Sequence, residues 1–205
     1  MKTMDISQSK KQRTIFFEGD SIMNLSSAGV INGRYVTSTA YESIIAVKEK
    51  VAMSSYAQND WQLIRDIIPV ISTNISPYIS ETDLIVIGAG SNDIASSKSG
   101  QQLFDALLSY RSQVIGRGVD IVVCTLIARN YAGDKVDTMT EIANYNQLVI
   151  DNTSVYNYTV CDVAADSSFS DPNNSAFYSA DNLNLTTDGM NLYANYLSNT
   201  LIELL

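Results

Sequence analysis

The apolar positions of this chain follow two periodicities that alternate along it. Short apolar runs occur at Arg13 to Glu18 (Thr14, Ile15, Phe16, Phe17), Val51 to Tyr56, Asp83 to Gly88 (Leu84, Ile85, Val86, Ile87), Val119 to Thr125 and Tyr158 to Val163. A run without polar alternation is how a parallel strand buried on both faces reads. Between and after these runs, apolar residues recur at three- and four-residue steps. The segments are Tyr41 to Lys50 (Ile44, Ile45, Val47), Asp60 to Ile75 (Trp61, Ile64, Ile67, Ile68, Ile71), Gln101 to Ile115 (Leu103, Phe104, Leu107, Leu108, Val114), Met139 to Ile150, and Thr187 to Leu205 (Met190, Tyr193, Ala194, Leu197, Leu201, Leu204). Such spacing predicts amphipathic helices. Asn59 or Asp60 is placed to cap the second of them, and Pro69 to kink or interrupt it.

The alternation of strand and helix predicts an α/β fold: a five-stranded parallel sheet between helix layers, a three-layer α/β/α sandwich. No repeat, low-complexity segment or linker divides the chain. Residues 13–205 therefore read as one domain behind a loose polar tail, residues 1–12. A polar stretch with Gly29 and Gly33 follows the first strand. In open parallel sheets, chemistry collects at the carboxyl ends of the strands. Gly19-Asp20-Ser21, Ser54-Ser55 and Gly90-Ser91-Asn92-Asp93 all fall at such ends.

Near the C-terminus stands Asp181-Asn182-Leu183-Asn184-Leu185-Thr186, just before the last helix. In this order, the blocks around Ser21, Asn92 and Asp181 resemble the SGNH (GDSL) family of esterases and lipases. The resemblance covers nearly the whole chain after the tail. It implies the flavodoxin-like SGNH hydrolase fold, with Ser21 as nucleophile. It also implies an oxyanion hole made of the Ser21 N–H, the Asn92 carboxamide and a further backbone N–H, which we align with Ser55 in place of the family's Gly. Asp20, Gly90 and Asp93 would support these groups. The family's last block reads Asp-x-x-His, often followed by Leu-Thr. Here Asp181 keeps its place and Asn184 stands where the histidine would be. A second register, Asp188-Gly189-Met190-Asn191, imitates the same block and also ends on Asn. The chain contains no histidine at all.

That departure falls on the residue that matters most for turnover. A serine hydroxyl is a poor nucleophile until an adjacent base takes its proton. An imidazole titrates near neutrality and can accept and return that proton. A carboxamide cannot. Losing the histidine of a triad costs on the order of 10⁶ in rate, about 8 kcal/mol. Three accounts of Asn184 stand open: a non-catalytic binding or structural module that kept the fold, an enzyme with a reassigned or partner-supplied base, and a deliberate replacement of the histidine. If the site is active, the reaction is ester hydrolysis, and the resemblance implies an O-acetylated carbohydrate or a short-chain ester as substrate. If it is not, the same cleft is expected to hold a glycan or ester ligand.

Composition narrows the partners. The net charge is −9, which argues against tracking nucleic acid phosphates or an anionic membrane surface. No apolar run approaches the ~20 residues of a membrane span. Met1 to Arg13 is polar and basic with no apolar core, so no secretory signal is expected and the protein reads as cytoplasmic or particle-associated. Sequons such as Asn24-Leu25-Ser26 are then chance products of an Asn-, Ser-, Thr- and Tyr-rich composition. That composition suits a component of a virion or other particle, beside other structural proteins. Cys124 and Cys161 each sit in a predicted core strand and read as buried thiols. No cofactor is implied. No metal site is expected, because histidine is absent and the cysteines lack ligand spacing.

Overall fold

The computed structural model describes residues 13–24, 51–81, 83–134 and 137–204. In it the apolar runs form β1 (Arg13–Gly19), β2 (Val51–Ser55), β3 (Leu84–Gly88), β4 (Asp120–Cys124) and β5 (Thr159–Cys161). All pairings are parallel, and the five strands lie in the order β2-β1-β3-β4-β5. That is the flavodoxin-like order, with a reversal of winding beside β1. The helices that position the site are α1 (Ser91–Ala95), α2 (Gly100–Val114), α3 (Thr138–Asp151) and α4 (Thr187–Leu204). The expected tail, the stretch around Gly29 and Gly33, and the expected helix Tyr41 to Lys50 lie outside the described residues.

Successive strand residues point to opposite faces, and both faces are covered. Ile15, Phe17, Leu84, Val86, Val122 and Cys124 pack with Met190, Tyr193, Leu197 and Leu201 of α4. Phe16, Ile85, Ile87, Ile121 and Val123 pack with Leu103 and Leu107 of α2 and Ile142 and Val149 of α3. This two-sided burial explains why the strands carry no polar alternation. Local chemistry sets the helix starts. Ser99 and Gln102 form a reciprocal capping box on α2, and the Asp137 carboxylate caps α3 through the Thr140 N–H.

The segment from Asp60 to Ile75 departs from the single helix that its periodicity predicts. It runs as a π-helical turn (Leu63–Ile67), a 3₁₀ turn (Ile68–Val70) and one α-helical turn (Ile71–Asn74). Pro69 sits in the 3₁₀ turn, where its missing N–H and fixed ring forbid a regular ladder. Leu63, Ile67 and Ile71 still face the core. Neither Asn59 nor Asp60 caps this segment, and Asp60 takes a left-handed conformation with φ 62°. The cap comes from outside, as the site geometry makes clear. Cys124 and Cys161 stand in register on β4 and β5, both buried and unbridged. Among the described residues, no helix is long and apolar enough to cross a membrane.

Candidate active site

β1 ends in a tight turn. The Asp20 carbonyl accepts from the N–H groups of Met23 (3.1 Å) and Asn24 (2.7 Å). Gly19 allows the turn to press against β3: a Cβ there would lie 2.4 Å from the Gly88 carbonyl oxygen and 2.5 Å from Met23 Cγ. Ser21 is half-buried in this turn. Asp20 points inward. Its Oδ1 accepts the Ile22 N–H (3.0 Å) and its Oδ2 the Ser91 hydroxyl (2.9 Å). Burial pushes the Asp20 carboxyl up to about 6, against the pull of those two donors and of the Arg129 charge.

The end of β3 supplies the second block. Gly90 has φ 130°, a conformation that L side chains rarely adopt, and Leu103 packs where a Cβ would go. α1 begins directly after it. Asn92 Nδ2 donates to the Trp61 carbonyl (3.2 Å), and Asn92 Oδ1 accepts from Arg129 Nη1 (3.0 Å). Asp93 is fully buried. Its carboxylate accepts the N–H groups of Leu63 (2.7 Å) and Ile64 (3.0 Å), which is the external cap on the irregular helical segment. Burial raises the Asp93 carboxyl, and these N–H donors oppose it. Asp93 thereby ties the Trp61 loop to the Asn92 turn.

The third block lies on a closed loop before α4. Tyr178 and Leu185 form an antiparallel bridge, the Ser179 N–H donates to the Asn184 carbonyl (2.8 Å), and Asn182 turns the chain with φ 53°. Inside the loop, Asp181 Oδ1 accepts the N–H groups of Leu183 (3.0 Å) and Asn184 (2.9 Å), and Oδ2 accepts Asn184 Nδ2 (2.7 Å). Burial alone would raise the Asp181 carboxyl. The donors from Asn184 and Leu183 outweigh it and hold the group below the ordinary carboxylate range. Thr186 then caps α4 through the Gly189 N–H (3.2 Å).

These loops meet in an open cleft lined by Ser21, Ile22, Ser179, Asp181, Asn184, Leu185, Thr186, Thr187 and Met190. Ser21, Asp181 and Asn184 thus share one wall-to-wall space. Asn191, from the second register, lies in α4 with its Oδ1 buried and is not among the lining residues. Asn92 is not among those lining residues; the neighbouring Ser91 is bonded to Asp20, and both line a second pocket with Ile22 and Arg129.

Ser55 stands differently from the alignment made for it. It is the last residue of β2, in register with Phe17, not a loop residue beyond the strand. The Tyr56 N–H donates to the Phe17 carbonyl. Since N–H directions alternate along a strand, the Ser55 N–H points away from β1. The loop that follows approaches the site instead, with the Gln58 N–H on the Gly19 carbonyl (3.1 Å).

Two residues that the motifs did not single out complete the site. Arg129, in the loop after β4, forms a bidentate ion pair with Asp134 and reaches both Asn92 and Ser91. Asn146 of α3 clasps the same loop, accepting the Leu126 N–H and donating to the Leu126 carbonyl, each at 2.8 Å. The one sequence signal was an arginine close behind an apolar strand, and that position alone does not distinguish a buried cation from a solvated one.

No family model and no curated protein sequence matches the chain. Solved structures do. A member of the lipolytic G-D-S-L protein family from Veillonella parvula is 17% identical, with a TM-score of 0.69 over 91% of this chain and 97% of that one. TesA is 13% identical, with a TM-score of 0.72 over 94% and 100%. A GDSL-like lipase from Bacteroides thetaiotaomicron is 13% identical, with a TM-score of 0.73 over 96% and 91%. The order and direction of the strands, the strand-end loops and these neighbours agree: the chain has the fold of the GDSL (SGNH) lipolytic hydrolases.

Proposed function

We propose that this chain is a binding module on the GDSL hydrolase fold, whose cleft beside Ser21 accepts an uncharged, hydroxyl-rich ligand such as a glycan or an O-acylated sugar and turns it over slowly or not at all. The observation that carries this reading is the Asp181–Asn184 pair. The Asn184 carboxamide spends its Nδ2 on Asp181 and has only a weakly basic oxygen to offer Ser21. It can hold a hydroxyl in place but cannot take its proton. The cleft wall, rich in Ser, Thr and Asn, with one carboxylate and no basic side chain among the described lining residues, favours neutral polar ligands over anions. The Asn-, Ser-, Thr- and Tyr-rich composition adds a role within a particle as a context for such binding.

The alternative is an active esterase with a reassigned base. Asp181 is the carboxylate in the cleft, but its donors make it less basic than an ordinary Asp. Asp20 titrates nearer neutrality, yet both of its oxygens are engaged by Ile22 and Ser91. Hydrolysis of p-nitrophenyl acetate decides between the readings. The protein should act little faster than its Ser21→Ala variant. A Ser21-dependent rate on the order of 1–10³ s⁻¹ would overturn the module reading.

A further inference from the structure

We propose that Arg129, anchored by Asp134, is a positioning residue that fixes the orientation of the Asn92 carboxamide. The inference rests on the reading of Asn92 as the side-chain donor of the oxyanion hole. A carboxamide can sit in two orientations related by a half-turn, and only one of them offers its N–H groups to a developing negative charge. Here both neighbours of Asn92 are chemically one-way. Arg129 can only donate, so it must face Oδ1. The Trp61 carbonyl can only accept, so it must face Nδ2. Together they select one orientation, leave the second N–H of Nδ2 uncommitted to Trp61, and exclude the flipped form.

The geometry behind Arg129 is that of a mount. Its Nε and Nη2 donate to the two oxygens of Asp134 at 3.0 and 2.6 Å. Its Nη1 is left for Asn92 Oδ1 (3.0 Å) and the Ser91 hydroxyl oxygen (3.3 Å). The side chains of Arg129 and Asp134 are only 4% and 8% exposed. A buried ion pair contributes little net stability, because desolvation offsets the attraction. It does impose a fixed direction, since a guanidinium fork held at two points cannot swing. The loop that carries it is itself held, by Ala128 N–H to the Phe169 carbonyl (3.1 Å) and Asn130 N–H to the Asn182 carbonyl (3.0 Å). The mount is therefore braced against the loop that presents Asp181 and Asn184.

The test has two arms. The first reads Asn92 directly, through its side-chain ¹⁵N–¹H resonances, identified by their loss in Asn92→Ala. In Arg129→Lys the backbone spectrum should persist while the Asn92 amide protons exchange with solvent about ten-fold faster or more, as expected for loss of a hydrogen bond to a charged donor. An unchanged Asn92 pair overturns the proposal. The second arm uses Asn184→His as background. If that protein is an esterase, adding Arg129→Lys should lower kcat about 10²-fold with KM nearly unchanged. An unchanged kcat also overturns the proposal. If Asn184→His is inactive, the oxyanion hole or pocket has decayed beyond repair by one residue, and the amide spectrum alone decides the mount. Should Arg129→Lys not fold, Asp134→Asn removes the anchor and must loosen the same resonances.

Discussion

Asn184 Nδ2 lies 2.7 Å from Asp181 Oδ2, so this carboxylate orients a carboxamide. The pair joins a carboxylate to a carboxamide, a group that cannot accept a proton near neutrality.

Restoring the imidazole is the most direct experiment. Asn184→His should create Ser21-dependent esterase activity, because Asp181 is already placed three residues earlier to hold the new ring. Asn191→His should create none, since that side chain lies in α4 and is not part of the cleft wall. Activity in Asn191→His and not in Asn184→His would reverse the assignment. Hydrolysis of p-nitrophenyl acetate, with Ser21→Ala as blank, gives the readout.

Glu18 predicts an unusual pH dependence of stability. It lies on β1 at 1% exposure, and neither carboxyl oxygen has a hydrogen-bond partner. The Tyr110 hydroxyl faces it and lowers the pKa somewhat, without a bond of ordinary geometry, while burial dominates and raises the carboxyl from 4.5 to about 7. The folded state therefore holds its proton more tightly than the unfolded state. Stability is present in full below about 4.5 and declines as pH rises to about 7. Glu18→Gln should remove that decline and make the protein about 3 kcal/mol more stable at pH 8, an order-of-magnitude figure. A smaller decline from 3.8 to about 6, owed to Asp20, should persist in the variant. Urea unfolding at several pH values measures both. A parallel shift at every pH would contradict this account.

Asn146→Ala should cost about 2–4 kcal/mol, because the Leu126 N–H and carbonyl would both stay buried without their partner. The loss should fall first on the loop after β4. Hydrogen exchange of residues 125–130 is expected to quicken more than that of β3. Uniform loss of protection would mean that the clasp has no local role.

Cys124 and Cys161 should both resist a thiol reagent in the native protein and react together on unfolding. Both are buried, and the adjacent Cys161 together with burial pushes the Cys124 thiol up. Rapid labelling of either in native buffer would be inconsistent with that burial.

Much of this architecture was legible in the residues. Runs such as Leu84–Ile87 read as strands buried on both faces because neither face meets water, and the motifs fell at strand ends because an open parallel sheet gathers its loops there. The Asp60 to Ile75 segment was harder. Its apolar spacing suits a helix, and only backbone geometry reveals how Pro69 and the remote Asp93 cap divide it into three kinds of turn. Ser55 was misplaced for a related reason: apolarity locates a strand, but not which way an N–H points at its last residue. Arg129 and Asp134 were invisible because a charge is recognised as buried only once its surroundings are known, and Phe169 and Asn182, which brace that loop, are far away in sequence.

The Arg13 guanidinium, at the head of β1, donates to the Leu204 carbonyl at the end of α4 (2.7 Å). This strand is thus fastened to the last helix of the described chain, and the cleft draws on Ser21 from one end and Asn184 from the other. Long-range closure of this kind is slow and comes late in folding. During synthesis, Ser21 emerges long before Asn184 exists to face it. Ligand binding would then report completion: only a chain whose last described helix has docked could occupy the cleft, because without it Phe17, Val86 and Val122 lose the cover on one face of the sheet.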